Sequence, residues 1–145
     1  MICPYCSHKE TKVLDSRESE NSVRRRRECE KCRKRFTTYE KVEFDLNVIK
    51  KDNRREPFSR EKLKNSIVKA TGKRPISSEK IDNIVDEIEQ ELRNLKSYEI
   101  QSKKIGDRVM SKLKTLDKIA YIRFASVYKE FKDIDDLAEE LRTMR

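Results

Sequence analysis

Two Cys-x-x-Cys pairs near the start of the chain constrain the fold more than any other feature. Cys3 and Cys6 form the first pair, and Cys29 and Cys32 form the second. Thiolates at this spacing can approach one ion from a single tight turn, and two such turns complete the four-coordinate shell that zinc prefers. The sequence therefore predicts one structural Zn²⁺ per chain held by all four cysteines, in preference to a redox dithiol or a disulfide pair. His8, the only histidine, is interpreted as an ordinary surface residue.

The segment around these cysteines is too short to bury the apolar surface of a stable core, so a bound metal would supply the missing stability. We predict a small zinc ribbon over residues 1–43. β-branched and aromatic residues predict three strands, at residues 11–17, 22–26 and 35–42. Turns of this kind often have glycine after the second cysteine. Ser7 and Arg33 stand there instead, which predicts mild strain in both turns.

The ribbon sequence also contains a dense cluster of cations. Eight of the twelve residues from Arg24 to Arg35 are basic, and the whole chain has a formal net charge of +9. Arginines neutralise phosphates and can pair with guanine edges, so we predict that this segment binds DNA. Because side chains alternate along a strand, only half of the four consecutive arginines are expected to face the duplex. The candidate DNA-binding residues are Arg17, Arg24, Arg25, Arg26, Arg27, Arg35, Tyr39 and Lys41.

Beyond Leu46 the pattern changes to a hairpin followed by helices. Residues 47–58 predict the hairpin, because Asn53 tolerates the left-handed conformation of a tight turn. Apolar residues at helical spacing predict four helices and a helical tail. The helices are expected to begin after Ser59, at Ser77 or Ser78, after Ser102 and near Asp117. All of the apolar stripes are expected to be buried, including those of the last helix and the tail: Ala120, Phe124, Val127, Phe131, Ile134, Leu137, Leu141 and Met144. The predicted fold class is therefore α+β.

The predicted hairpin and the following Lys62 bring several cations close to one carboxylate, that of Glu56. Such a cluster could hold a triphosphate through its lysines while Glu56 fixes a base or sugar. The sequence has neither a Gly-x-x-x-x-Gly-Lys loop nor a Ser-His-Asp arrangement, so we do not expect an enzyme. It also has no run of roughly 18 apolar residues and no signal-peptide core, which favours a cytoplasmic protein without a membrane partner.

Seven motifs along nearly the whole chain resemble those of one protein family. They occupy residues 3–6, 15–17, 24–29, 35–40, 48–52, 56–58 and 120–128. On these motifs the chain resembles the NrdR family, the repressors of ribonucleotide reductase genes. Its second half looks like an ATP-cone, a nucleotide-sensing module. The family usually has Gly at the position of Asn53 and commonly Arg at that of Lys51, and the two departures preserve the turn conformation and the charge, respectively.

The resemblance implies a small β zinc ribbon, then a mainly α-helical ATP-cone with a short N-terminal β-hairpin at residues 46–136, and a helical tail at residues 137–145. By the same resemblance, the residues expected to bind the nucleotide are Val48, Lys50, Lys51, Glu56, Lys62 and Tyr128. It further implies that ATP or dATP, as an allosteric effector, controls homo-oligomerisation and the binding of operator boxes upstream of ribonucleotide reductase genes. Such a protein would be nucleoid-associated when bound to double-stranded DNA. The alternative is a general zinc-ribbon nucleic-acid-binding factor whose helical half is a protein-interaction domain.

Overall fold

The computed structural model describes residues 1–20 and 22–145 and has the predicted α+β class. The chain divides into two compact units, Met1–Phe44 and Asp45–Arg145. The first contains only strands and turns, and the second contains every helix that the structure describes. Within the described residues, no helix has both the length and the apolar character needed to cross a membrane.

The N-terminal unit is a three-stranded antiparallel sheet in the order β1-β2-β3. Its strands are β1 at Thr11–Ser19, β2 at Ser22–Cys29 and β3 at Arg35–Lys41. All three predicted strands are confirmed, although β1 and β2 extend further than the prediction. A β-bulge interrupts the pairing of β1 with β2 between Val13 and Asp15. Such a bulge changes which side chains share a face of the sheet.

A second small sheet, in the order β5-β4-β6, begins the C-terminal unit. Its strands are β4 at Asn47–Ile49, β5 at Arg55–Pro57 and β6 at Glu99–Gln101. The predicted hairpin of β4 and β5 is confirmed, and Asn53 in its turn has a φ of 64°. Strand β6 was not predicted. It has only three residues and pairs with β4 in parallel, so neither length nor a local turn marks it in the sequence.

Five helices complete this unit: α1 at Arg60–Thr71, α2 at Ser78–Arg93, α3 at Ser102–Leu116, α4 at Lys118–Tyr128 and α5 at Ile134–Thr143. Ser59, Ser77 and Asp117 cap α1, α2 and α4 by accepting hydrogen bonds from backbone N–H groups of the first turn. These caps explain where three of the helices begin. The largest fully buried side chains of the unit come from α1, α2 and α3: Ile67, Val85, Ile88, Leu92, Val109 and Leu113.

The prediction that the last two apolar stripes are buried was wrong in part. Val127 and Ile134 are about four-fifths exposed, and Leu141 is also exposed. Helix α4 buries Ala120, as predicted, but its other buried residues are Tyr121 and Ala125, which the prediction did not include. Helix α4 is short and has apolar residues on most of its surface, so its sequence does not determine which face is buried.

A buried polar residue of helix α5, Glu140, bonds this helix to α4. Tyr121 donates a hydrogen bond to this carboxylate at 2.5 Å, and the Lys129 ammonium lies 2.7 Å away. Burial raises the pKa of Glu140, but the hydrogen bonds from Lys129 and Tyr121 outweigh that effect and the net pKa is lowered. The carboxylate is therefore ionised at neutral pH, and its two partners compensate its desolvation.

Candidate metal centre, cationic face and nucleotide cleft

Two turns of the same geometry present the four cysteines. In each, the backbone N–H of the first cysteine donates to a carbonyl five residues later: Cys3 to His8 at 2.9 Å and Cys29 to Lys34 at 3.0 Å. The residue after the second cysteine closes each turn, since Ser7 donates to the Cys3 carbonyl and Arg33 to the Cys29 carbonyl. Ser7 and Arg33 both have a φ of 59°, a conformation that favours glycine. The predicted strain of the two turns is therefore confirmed.

The four sulfur atoms lie within 4.8 Å of one another. Cys3 Sγ is 3.6 Å from Cys32 Sγ, and Cys6 Sγ is 3.6 Å from Cys29 Sγ. A zinc ion bound by four thiolates at about 2.3 Å separates its sulfur ligands by about 3.8 Å, so the donor set fits zinc in number, type and spacing. The same distances are far longer than a disulfide bond of about 2.05 Å, and all four cysteines are free.

The thiols of Cys29 and Cys32 also differ in pKa, and a bound cation would remove this difference. Burial opposes ionisation of Cys29, but backbone N–H groups of Cys32 and Lys31 outweigh it and lower the pKa of Cys29 to about 6. The Lys34 N–H favours the Cys32 thiolate, yet burial and hydrogen bonds to the other thiols raise the pKa of Cys32 to about 11. A divalent cation among the sulfurs would stabilise all four as thiolates.

The register of the ribbon sheet separates the consecutive arginines onto two faces. Residues directly opposite one another on neighbouring strands project to the same face. Arg24 lies opposite Arg17 on one side and Tyr39 on the other, and Arg26 lies opposite Asp15 and Thr37. We call the surface of Arg17, Arg24, Arg26 and Tyr39 the Arg24/Arg26 face. Arg25 and Arg27 project to the opposite face of the sheet.

The arginines of the opposite face are already engaged within the ribbon. Arg25 bonds to Glu40 at 2.6 Å and to the Ser16 hydroxyl at 3.0 Å, and Arg27 bonds to the Thr38 hydroxyl at 3.0 Å. The hydrogen bond and charge of Glu40 raise the pKa of Arg25 further. These two guanidinium groups therefore serve the sheet itself.

Arg24 and Arg26 differ from their neighbours because, among the residues that the structure describes, neither makes a side-chain hydrogen bond or ion pair. Arg26 is exposed, and Tyr39 beside Arg24 is 60% exposed. Lys41, opposite Ser22, projects to this face as well. Within the described chain these cations have no internal partners, and they lie next to an exposed aromatic ring. They can therefore bind a phosphate backbone without first breaking an internal bond.

The bulge in β1 decides the position of Arg17. Val13 lies opposite Arg27, but Asp15 lies opposite Arg26, so the strand gains one residue at Leu14. Without that extra residue Arg17 would project to the face of Arg25. With it, Arg17 stands beside Arg24 on the Arg24/Arg26 face, where its guanidinium is paired with Asp15 at 3.2 Å.

Arg35 lies at the cysteine end of the Arg24/Arg26 face, but it is bonded to Glu28 at 3.0 Å. Lys12 also contacts Glu28, at 3.2 Å, and the hydrogen bonds from Arg35 and Lys12 lower the pKa of this buried carboxyl. Arg35 thus has a structural partner that Arg24 and Arg26 lack.

The C-terminal unit contains a cleft of about 210 Å³ between its small sheet and helices α1, α3 and α4. Five of the six candidate nucleotide-binding residues line it: Val48, Lys50, Glu56, Lys62 and Tyr128. The Lys50 and Lys62 ammonium groups lie 3.1 and 3.3 Å from the same Glu56 oxygen. Hydrogen bonds from these two lysines lower the pKa of Glu56. The cluster retains one excess positive charge.

Lys51 does not line the cleft. Its ammonium pairs with Glu130 at 2.7 Å, and both side chains are about 70% exposed. Lys50 and Lys51 are consecutive, and only the first of them points into the cleft. The pattern of lysines in the sequence gives no indication of this difference.

The cleft also contains residues that the sequence analysis missed. Phe58 and Phe124 contribute apolar surface, and Gly106 lies under the Tyr128 ring. Gly106 could have been suspected, because it is one of only two glycines in the chain and lies inside a predicted helix, where glycine is unfavourable. The aromatic residues offered no such signal.

Comparison with known proteins agrees with both units. The model of the family described as "Transcriptional repressor NrdR-like, N-terminal domain" matches residues 1–40, and that of the "ATP cone domain" matches residues 46–134. A protein from Clostridioides difficile named "Transcriptional repressor NrdR" is 57% identical over 99% of this chain and 95% of its own length. The chain belongs to the NrdR family.

Other NrdR relatives are similar over their whole length. The NrdR protein of Petrotoga mobilis is 53% identical over 100% of this chain and 99% of its own, and that of Listeria innocua is 54% identical over 99% and 96%. These relatives have the name of a regulator and not of an enzyme. Two features of the chain match its NrdR identity: a zinc ribbon with four clustered cysteines, and an ATP cone. The alternative of a helical half that only binds protein finds no support.

Proposed function

We propose that this NrdR protein represses ribonucleotide reductase genes by binding operator boxes upstream of them, and that ATP or dATP in the cone controls its homo-oligomerisation and its DNA binding. DNA binding is assigned to residues 1–43 and nucleotide binding to residues 46–136, with residues 137–145 as a tail. The observation that carries the proposal is that one compact unit has a sheet face on which Arg24 and Arg26 have no internal partner among the described residues, and the other has a cleft with two lysines and a carboxylate.

In the cleft, the phosphates of a nucleotide would replace Glu56 as the partner of Lys50 and Lys62. A triphosphate offers these ammonium groups more negative charge than one carboxylate, so the exchange is electrostatically favourable. Glu56, released from the lysines, is then free to accept hydrogen bonds from a base or sugar. The aromatic residues Phe124 and Tyr128 line the same cleft and provide apolar surface for the base.

On the ribbon, the Arg24/Arg26 face would meet double-stranded DNA. The thiolate-bound zinc supplies structural stability to the turns, and the sheet holds the arginines in a fixed spacing. Arg24, Arg26 and Lys41 can neutralise phosphates or contact base edges without first breaking an internal bond. We further propose that the protein acts in the cytoplasm and associates with the nucleoid through this face.

The effector can act on DNA binding only through a difference in affinity. ATP or dATP must bind one assembly of the chain more tightly than another, and the favoured assembly must differ in its affinity for DNA. Paired operator boxes provide such a difference, because an oligomer that places two ribbons on two boxes gains avidity. On this proposal an excess of dATP represses the genes of the enzyme that makes it.

The experiment that tests the proposal measures the mass of the protein in solution with no nucleotide, with ATP and with dATP, each with and without a reductase promoter fragment. We expect adenine nucleotide to change the oligomer mass, and the complex with the promoter to form in one nucleotide state and not in the other. The control is a DNA fragment of equal length and scrambled sequence. A single mass and a single DNA affinity under all conditions would contradict the proposal.

The two faces of the ribbon give a second expected result. Replacing Arg24 and Arg26 by alanine should weaken promoter binding by on the order of tenfold or more and lower the salt dependence, by about 0.9 in the log–log slope for each lost phosphate contact. The matched control replaces Arg25 and Arg27, which removes the same charge from the other face. Because Arg25 and Arg27 are bonded within the sheet, zinc content and circular dichroism are compared first. Equal losses in two folded double variants, or the larger loss in the control, would show that the Arg24/Arg26 face does not meet DNA.

A further inference from the structure

Gly106 and Tyr128 are in unusually close contact inside the nucleotide cleft. A Cβ atom added at Gly106 would lie 2.1 Å from Cε2 of the Tyr128 ring and 2.6 Å from its Cζ. Neither distance is possible for non-bonded carbon atoms, so any larger residue at this position would displace the ring. Gly106 is buried within α3, and its φ is not in the left-handed region, so backbone conformation does not require glycine there.

The Tyr128 ring is held so that it cannot simply yield. Its hydroxyl lies 2.7 Å from the Lys103 carbonyl and 2.9 Å from Asp107 Oδ1, both on α3. The ring also stacks on Phe124, with 5.8 Å between centroids and 27° between planes. The single hydroxyl proton can be donated to either of the two oxygen acceptors, and rotation away from Gly106 would break that hydrogen bond and the stacking together. The ring position is thus defined from three sides, and the missing side chain of Gly106 is one of them.

Two chemically different sets of residues line the cleft. Lys50, Glu56 and Lys62 form a charged cluster, whereas Phe124 and Tyr128 form a stacked aromatic pair, with apolar Ile105 also in the lining. An adenine nucleotide has the same division, with a polyanionic tail and a flat aromatic base. The Tyr128 ring therefore belongs to the part of the cleft that the base would occupy.

We infer that Gly106 is a positioning residue for nucleotide recognition: its lack of a side chain lets the Tyr128 ring lie against α3 and so sets the width of the cleft at the base end. This inference rests on the proposed nucleotide-binding function and adds to it the residue through which the base end is shaped. Gly106 has no side chain with which to bind a ligand, and the atoms nearest to an added Cβ all belong to Tyr128. Its effect passes through Tyr128 alone.

The test replaces Gly106 by alanine in the full chain and measures binding of ATP and of inorganic tripolyphosphate by calorimetry. We expect ATP affinity to fall by roughly tenfold, the scale of one lost contact between a base and an aromatic ring. Tripolyphosphate affinity should not change, since it depends on the lysines only. Equal losses for both probes in a Gly106→Ala chain that folds normally would overturn the positioning role.

The other glycine supplies a matched control. A Cβ added at Gly72, at the end of α1, meets nothing closer than the Lys69 carbonyl at 3.5 Å. Gly72→Ala should therefore bind ATP and tripolyphosphate as the unaltered chain does. If Gly106→Ala also binds ATP unchanged, Gly106 has no positioning role.

A double variant keeps the inference testable even if Gly106→Ala folds poorly. Tyr128→Ala removes the ring that the new methyl group would strike, so Gly106→Ala combined with Tyr128→Ala should fold and bind ATP like Tyr128→Ala alone. A further loss in the double variant would show that Gly106 does not act through Tyr128. An unaltered chain that binds no adenine nucleotide would overturn both the proposed function and this inference. ATP binding that is unchanged by Gly106→Ala would overturn the inference alone.

Discussion

Replacing Cys29 by serine should abolish zinc binding and promoter binding together. The Cys29 side chain is fully buried in the ribbon, and its sulfur is one of only four that surround the metal position. Serine is a poor zinc ligand at neutral pH, and a structural zinc site contributes about 10–16 kcal/mol to the folding of small zinc domains. The ribbon has few other buried apolar side chains, so nothing replaces this contribution. We expect promoter affinity to fall by at least about 1000-fold, to the level of a non-specific complex.

The measurement combines the zinc content of the purified protein, its circular dichroism and its affinity for promoter DNA. His8→Ala is the matched control, because His8 lies two residues after Cys6 but outside the cysteine cluster. That variant should keep one zinc per chain and its DNA affinity. A Cys29→Ser protein that retains both zinc and full promoter affinity would show that the ribbon does not depend on a four-cysteine site.

Replacing Lys62 by alanine should remove the response to nucleotide without touching the ribbon. Lys62 shares the Glu56 carboxylate with Lys50 in the cleft of the C-terminal unit, and the Arg24/Arg26 face belongs to the other unit. In a protein of two independent modules, this change would leave promoter binding unaltered. In a nucleotide-gated repressor it removes the effector-dependent assembly, and with it an avidity of roughly 100-fold or more.

Promoter affinity is measured for the Lys62→Ala protein with dATP, beside the unaltered protein with dATP and with ATP. Lys69→Ala is the control, since Lys69 lies on the same helix and is exposed outside the cleft. It should behave like the unaltered protein. Equal promoter binding in all samples would mean that the cone does not gate the ribbon, and the chain would then be a zinc-ribbon DNA binder without nucleotide control.

Local signals in the sequence were sufficient for most of the secondary structure. Ser59 and Asp117 mark helix starts because their oxygen atoms satisfy free N–H groups, and Asn53 marks a turn because it tolerates a positive φ. The spacing of the cysteines likewise depends only on local geometry. Each of these features is decided by residues within a few positions of one another.

Features that depend on distant partners were not predictable in the same way. Alternation along β2 indicates that Arg24 and Arg26 share a face, but which pair is free follows from Glu40 and Thr38 on the next strand. The same reason explains the missed strand β6. It also explains why the position of Lys51 outside the cleft was not predicted, since its partner Glu130 lies far along the chain.

Strand β4 has one partner close in sequence and one far from it, since Val48 lies opposite both Glu56 and Ile100. The ribosome releases the chain from its N-terminal end, so the four cysteines leave the exit tunnel well before Ile100 and Tyr128. When zinc is present, a nascent chain can thus fold its ribbon while the nucleotide cleft still lacks strand β6 and Tyr128. On the proposed function, the DNA-binding ribbon folds before the nucleotide-binding cone is complete. A stalled or truncated translation product would therefore be a monovalent DNA binder that no nucleotide can regulate.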